Sequence, residues 1–244
     1  MINITLPSVV NIRDFGGTVN KEGRTIRRNC MIRSGFLINA SEEDISYLQR
    51  EHNLKKVIDL RTFSEIEEAP DQTGTLEYIH VPIIRDFRDG ITHENRESRK
   101  FPDLADTYRD MVCKEEYVEG LRNVLNEILD HDYDSGAVLW HCSEGKDRCG
   151  LISALVMMIL DVDEKTIRED YLETNKTSIP KAETIYKRIA ESGDEEIAKS
   201  VYKALIADER YLNTALNSMT DNYLEDVLKL DKNKIEKFRN RILI

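Results

Sequence analysis

One stretch constrains this chain more than any other. Ala137 to Trp140 is a short apolar run, His141 to Arg148 is polar throughout, and Leu151 to Leu160 is a largely apolar run without Gly or Pro. The order is a buried strand, a loop and a buried helix. The first N–H groups of a helix have no intrahelical acceptor, and the aligned peptides place partial positive charge there. A loop feeding a helix N-terminus is therefore ready to bind an anion, and phosphate is the common one. Arg148 adds a planar fork that can grip two phosphate oxygens. The same field favours thiolate over thiol, and cysteines in such places drop to a pKa of roughly 3.5–7.5. A buried inert thiol is the usual fate of a free cysteine, but the polar loop and Arg148 argue against that for Cys142. Attack of Cys142 on a phosphoester, then hydrolysis, is the chemistry this arrangement implies. His141 orients the loop and supports the thiolate. Ser143, Glu144, Gly145, Lys146 and Asp147 offer backbone N–H groups, with Gly145 free to adopt a conformation other residues resist.

The spacing His-Cys, five residues, Arg resembles the phosphate loop of the protein-tyrosine phosphatase superfamily. The fuller string His141-Cys-Ser-Glu-Gly-Lys-Asp-Arg148 is similar to one bacterial and fungal branch, whose loop reads His-Cys-x-x-Gly-Lys-Asp-Arg-Thr/Ser-Gly. Three further stretches resemble that branch: Asn11 to Gly17, Val57 to Arg61 with Glu65 and Pro70, and Asp170 to Leu172 with Asn175. The resemblance spans about residues 11–175. It implies the cysteine-phosphatase fold, no cofactor, and phosphotyrosine, phosphoserine/threonine or phosphoinositide substrates. Lys146 would add positive charge beside the phosphate, which suits substrates with several phosphates. Two carboxyls compete as proton donor to the leaving oxygen. The resemblance favours Asp147; Asp59 ends a strand, where open α/β sheets place their sites, but it also reads as a structural partner of Arg61. Cys149 departs from the pattern. It replaces a Thr or Ser whose hydroxyl would hydrogen-bond the cysteine sulfur, and a thiol is the weaker donor. Slower phosphoenzyme hydrolysis and a protective Cys142–Cys149 disulfide are both expectations from that position.

With 244 residues, 40% of them hydrophobic, the chain can bury a proper core, and one domain is expected over 1–244. The net charge of −11 disfavours nonspecific binding to nucleic acid or acidic membrane. The longest apolar run has ten residues, where a membrane span needs about 20, so no stable membrane insertion is expected. Met1 to Val10 lacks the pattern of a secretory signal, and the four cysteines contain no CxxC pair, so a cytoplasmic, reduced protein without a zinc site is the simpler reading. The expected partner is a phosphorylated protein or a phosphoinositide.

The rest of the chain reads as α/β, a central mainly parallel sheet flanked by helices. Residues 1–40 are irregular or β-rich, and Met31 to Ser34 could be a strand. Arg13 and Asp14 read either as an ion pair or as residues beneath the site. Ser41 to Asp44 caps a helix running to about His52. Leu54 to Leu60 and Leu76 to Ile84 read as strands, and Glu115 to Asp130 as a helix. The charged segment 85–103 reads as a solvated loop or a substrate-facing basic segment. Asp163 caps a helix to about Asn175, and Pro180 begins another. Further helices are expected near 180–192, 194–206, 208–218, 220–230 and 232–241. By resemblance, part of 176–218 forms a helical lid; otherwise it is a packed extension.

Overall fold

The computed structural model describes residues 1–84 and 104–244. The first half alternates strand and helix: β1 (Ile2–Asn3), β2 (Arg13–Asp14), β3 (Met31–Ser34), α1 (Glu42–His52), β4 (Leu54–Asp59), α2 (Phe63–Glu68), β5 (Glu77–His80), α3 (Leu104–Cys113), α4 (Glu115–Leu129), β6 (Ala137–His141). The second half is helical: α5 (Asp147–Ile159), α6 (Glu164–Glu173), α7 (Asn175–Glu191), α8 (Glu195–Leu205), α9 (Glu209–Ser218), α10 (Tyr223–Asp226) and α11 (Lys232–Ile242).

The strands form one sheet in the order β1-β2-β3-β6-β4-β5. The pairings β3–β6, β6–β4 and β4–β5 are parallel, while the two-residue strands β1 and β2 join antiparallel at one edge. β6 lies between β3 and β4 and is buried on both faces. Val138 and Trp140 point into the larger core, with α4, α5 and the C-terminal helices. Ala137 and Leu139 point into a smaller core with Ile45 and Leu48 of α1. Covering both faces explains why this strand is apolar throughout rather than alternating. α5 is buried nearly all round, and Ser153 at its middle accepts from the Trp140 indole at 3.2 Å and donates to the Cys149 carbonyl at 2.7 Å.

The expected α/β architecture is what forms, with local differences. α5 begins at Asp147, so Arg148 lies in its first turn rather than closing the loop; an acidic residue and unsatisfied N–H groups suit that position. β5 stops at His80 because Pro82 cannot donate to the ladder. α7 starts at Asn175 and runs through Pro180 at the loss of one N–H bond. α10 covers only Tyr223–Asp226, since Lys229 turns left-handed at φ 52°. α2 and α3 fall in stretches where the sequence marks no helix bounds. Segment 85–103 lies outside the described residues. Among those described, no helix is long and apolar enough to cross a membrane.

Candidate active site

The site is built on the C-terminal end of β6. Ser34 of β3 and Asp59 of β4 both stand level with His141 in the sheet. The Leu60 N–H donates to the His141 carbonyl at 2.9 Å, and the Phe36 N–H to the Ser143 carbonyl at 3.2 Å. Both neighbouring strands thus lead into segments that grip the loop. Gly145 sits at φ 65°, and a Cβ there would lie 2.5 Å from the Ser34 carbonyl oxygen, so only glycine fits. The loop's own carbonyls are held from outside: Arg33 donates to Gly145 O at 2.6 Å, and Asn11 to Gly145 O at 2.9 Å and Glu144 O at 3.2 Å. The backbone N–H groups of Ser143 to Arg148 have no protein acceptor among the described residues, and no side chain caps α5. That is the arrangement of an anion cradle.

Cys142 opens the loop and is 2% exposed. A hydrogen bond from the Cys149 thiol, against the cost of burial and with help from the Arg148 charge, brings the Cys142 thiol down to about 6. Burial pushes the Cys149 thiol well up, so it keeps its proton. That proton has competing acceptors, Trp140 O at 3.3 Å and Ser34 O at 3.6 Å. Arg148 makes a two-pronged pair with Glu65, at 2.6 and 2.8 Å, and reaches Ser143 Oγ at 3.3 Å. Burial alone would raise the Glu65 carboxyl, but Arg148, the Ser143 hydroxyl and the Thr62 N–H bring it down to about 2.

The family model for the tyrosine phosphatase family matches residues 4–244. The chain belongs to the tyrosine phosphatase family. It is a phosphatase, a hydrolase of phosphorylated substrates. A Cupriavidus necator protein named as a tyrosine-protein phosphatase is 26% identical over 239 residues, covering 94% of this chain and 85% of that one. The triple specificity protein phosphatase PtpB of Mycobacterium tuberculosis is 29% identical over 130 residues, 49% of this chain and 45% of that one. Solved structures that align with it include the core catalytic domain of the PP-IP phosphatase SIW14 from S. cerevisiae, at 15% identity and a TM-score of 0.42, covering 90% of this chain and 98% of that one. TpbA of P. aeruginosa aligns at 16% identity and a TM-score of 0.35, covering 82% and 97%.

In this phosphatase Asp147 and Asp59 occupy different surroundings. Asp147 is in the first turn of α5, its side chain 24% exposed, accepting from Tyr108 Oη at 2.8 Å and lying 3.5 Å from Lys146 Nζ. Asp59 is fully buried at the end of β4, bound by Arg61 at 2.7 Å and by Tyr78 Oη at 2.9 Å. Burial opposes its charge, but the positive His141 and Arg61 hold it well below the usual carboxylate range. His141 is buried, with Nε2 3.1 Å from Asp71 and 3.8 Å from Asp59 and Nδ1 3.4 Å from Cys142 O. Burial lowers its pKa, and the two carboxylates more than reverse this. The ligand atoms of Asp59, Asp71 and His141 lie within 4.8 Å of one another. The Arg61 guanidinium already bridges the two carboxylates, so the cation they hold is an arginine.

Lys146 departs from the picture of a cation facing the anion. Its side chain is 2% exposed and donates to the carbonyls of Ala204 and Ile206. Glu144 pairs with Lys181 of α7 at 2.5 Å. Sequence reasoning also missed several residues around the loop. Arg13 pairs with Asp170 at 2.6 Å, not with Asp14, whose carboxylate instead accepts the Gly16 and Asn29 N–H groups. Asp170 takes Arg33 on its other oxygen at 2.5 Å. Thr62-x-x-Glu65 was a capping-box signal that could have drawn attention to Glu65. Asn11 and Asp170 stood within quoted motifs, and Arg33 was a charge inside a strand.

Proposed function

We propose that this phosphatase is cysteine-dependent and hydrolyses phosphotyrosine in proteins, with phosphoserine and phosphothreonine as further substrates. The observation that carries the reading is Cys142, lowered to about 6 at the head of a loop of unpartnered N–H groups that leads into Arg148. The loop N–H groups of Ser143 to Asp147 and the Arg148 fork bind the phosphate. The Cys142 thiolate attacks phosphorus, the P–O bond breaks, and Asp147 gives its proton to the leaving oxygen. General acid help of this kind is worth about 10²–10⁴-fold. Water then attacks the phosphocysteine, Asp147 takes the proton, and the Cys142 thiolate leaves with the Cys149 S–H directed at it. Asp147 is favoured over Asp59 because it sits on the loop and is partly open to solvent, whereas Asp59 is locked ionised under Arg61. Asp59 and His141 then serve as supports of the loop. Glu65, Leu60 O and Ser143 Oγ fix the Arg148 plane through its two terminal nitrogens, so the phosphate is met by Nε–H and by terminal N–H groups that exchange the weaker Leu60 and Ser143 contacts for it.

Residues 1–244 work as one phosphatase domain in this reading, with α7 to α9 over the loop. A reduced, cytoplasmic setting suits the thiolate, and all four cysteines are free. The Cys149 thiol beside Cys142 also suits a protective disulfide under oxidation. The test is phosphate release from a phosphotyrosine peptide, a phosphoserine peptide and phosphoinositides under reducing conditions, with Cys142→Ser as the blank. Release fastest from phosphotyrosine and lost in Cys142→Ser is expected. Release retained in Cys142→Ser would overturn the mechanism; preference for phosphoinositides would overturn the substrate.

A further inference from the structure

The loop and the first turn of α5 carry four charged side chains, Glu144, Lys146, Asp147 and Arg148, and each already has a protein partner; Asp147 accepts from Tyr108. Arg148 is braced by Glu65, and Glu144 is tied to Lys181. Lys146 is the most confined of the four, with its ammonium drawn under the connection between α8 and α9. An ammonium has three N–H donors and no acceptor. Two are taken by Ala204 O and Ile206 O, and the third side faces Asp147 Oδ1 at 3.5 Å. The Ala204 carbonyl belongs to the last turn of α8, where carbonyls lack intrahelical donors and the helix dipole is negative. The lysine therefore satisfies orphan acceptors that would otherwise be left half-buried. The same turn is clamped from behind by Asn175, which accepts from the Ala207 N–H and donates to the Ala207 carbonyl, both at 2.8 Å.

We propose that Lys146 anchors the α8–α9 turn to the phosphate loop and is not a ligand for a second phosphate, so substrates are held through a single phosphate. This rests on the reading of the Cys142 loop as the phosphate site and narrows its substrate class. To engage Lys146, a second phosphate would have to strip the ammonium from both carbonyls and leave the end of α8 unpaired. A monoester such as phosphotyrosine needs only the loop N–H groups and Arg148, which leaves the anchor in place.

The experiment is Lys146→Met in the full chain, since methionine keeps the aliphatic stem and removes the donors. Backbone hydrogen exchange is followed in the ligand-free protein, and kcat/KM is measured on water-soluble phosphoinositides carrying one and two ring phosphates. Exchange over residues 200–207 is expected to speed up by about tenfold or more, the equivalent of one charge-assisted hydrogen bond. The two substrates are expected to lose kcat/KM by the same factor, within about twofold. Unchanged exchange, or a loss about tenfold greater on the doubly phosphorylated substrate, would overturn the proposal. Should Lys146→Met fail to fold, Lys146→Gln, which keeps one donor group, is held to the same two criteria. If the unaltered protein releases phosphate from neither substrate nor from a phosphotyrosine peptide, the Cys142 reading fails, while the exchange result still decides the anchor.

Discussion

Replacing Glu65 with glutamine separates the charge of the Arg148 brace from its shape. Glutamine preserves the capping box with Thr62, because either residue serves at that position. It cannot answer both guanidinium prongs, since its amide NH₂ would face one of the Arg148 N–H groups. A carboxyl held at about 2 instead of its ordinary 4.5 reflects roughly 3 kcal/mol of stabilisation of the charged form. The folded value is the depressed one, so this stability is present above about 4.5 and fades as pH falls towards about 2. Urea unfolding should therefore find Glu65→Gln less stable by about 3 kcal/mol at pH 7 and by about 2 kcal/mol at pH 3.5. Turnover should suffer too. An Arg148 plane free to tilt misplaces the phosphate grip, and kcat/KM should fall by about 10–100-fold. A stability gap below about 1 kcal/mol that does not change with pH would refute the argument that this pair is a buried, net-stabilising brace.

Three further outcomes are expected. Cys149→Ser should hydrolyse the phosphoenzyme faster than the native chain, because a hydroxyl donates more strongly than a thiol shared among several acceptors; identical burst kinetics in both would contradict this. Asp170→Asn should lose about 3–5 kcal/mol of stability in chemical denaturation, because it strands two buried guanidinium groups; a loss under about 1 kcal/mol would mean that another counter-charge takes over. Alkylation of Cys142 by iodoacetamide should be flat above a pH of about 6 and fall about tenfold per pH unit below it; a rate still climbing at pH 8 would place the thiol at its ordinary value.

What the sequence disclosed was local. The strand, loop and helix around Cys142 could be read because an apolar run, a polar run and a second apolar run follow one another without interruption. The capped start of α1 at Ser41 was legible for the same reason, and the structure has both halves of its capping box. The loop's supports were not legible. Asn11 reaches Gly145, Arg13 and Arg33 converge on Asp170, and Asp71 arrives beside His141, all contacts between residues far apart in the chain. No periodicity encodes such pairings. Lys146 is the sharpest case. Its place in the loop argued for a phosphate-facing charge, whereas its partners are two backbone carbonyls that carry no signature in side-chain identity.

The position of β6 has a bearing on how the chain is made. β6 is the last strand to leave the ribosome, yet it lies at the centre of the sheet. Until residues 137–141 arrive, β3 and the β4–β5 pair have no strand to join them. Each therefore presents an open edge during synthesis, and open edges are templates for intermolecular pairing. Substitutions that weaken β6 should for that reason show up first as insoluble protein at the moment of expression, before any loss of activity in the molecules that do fold.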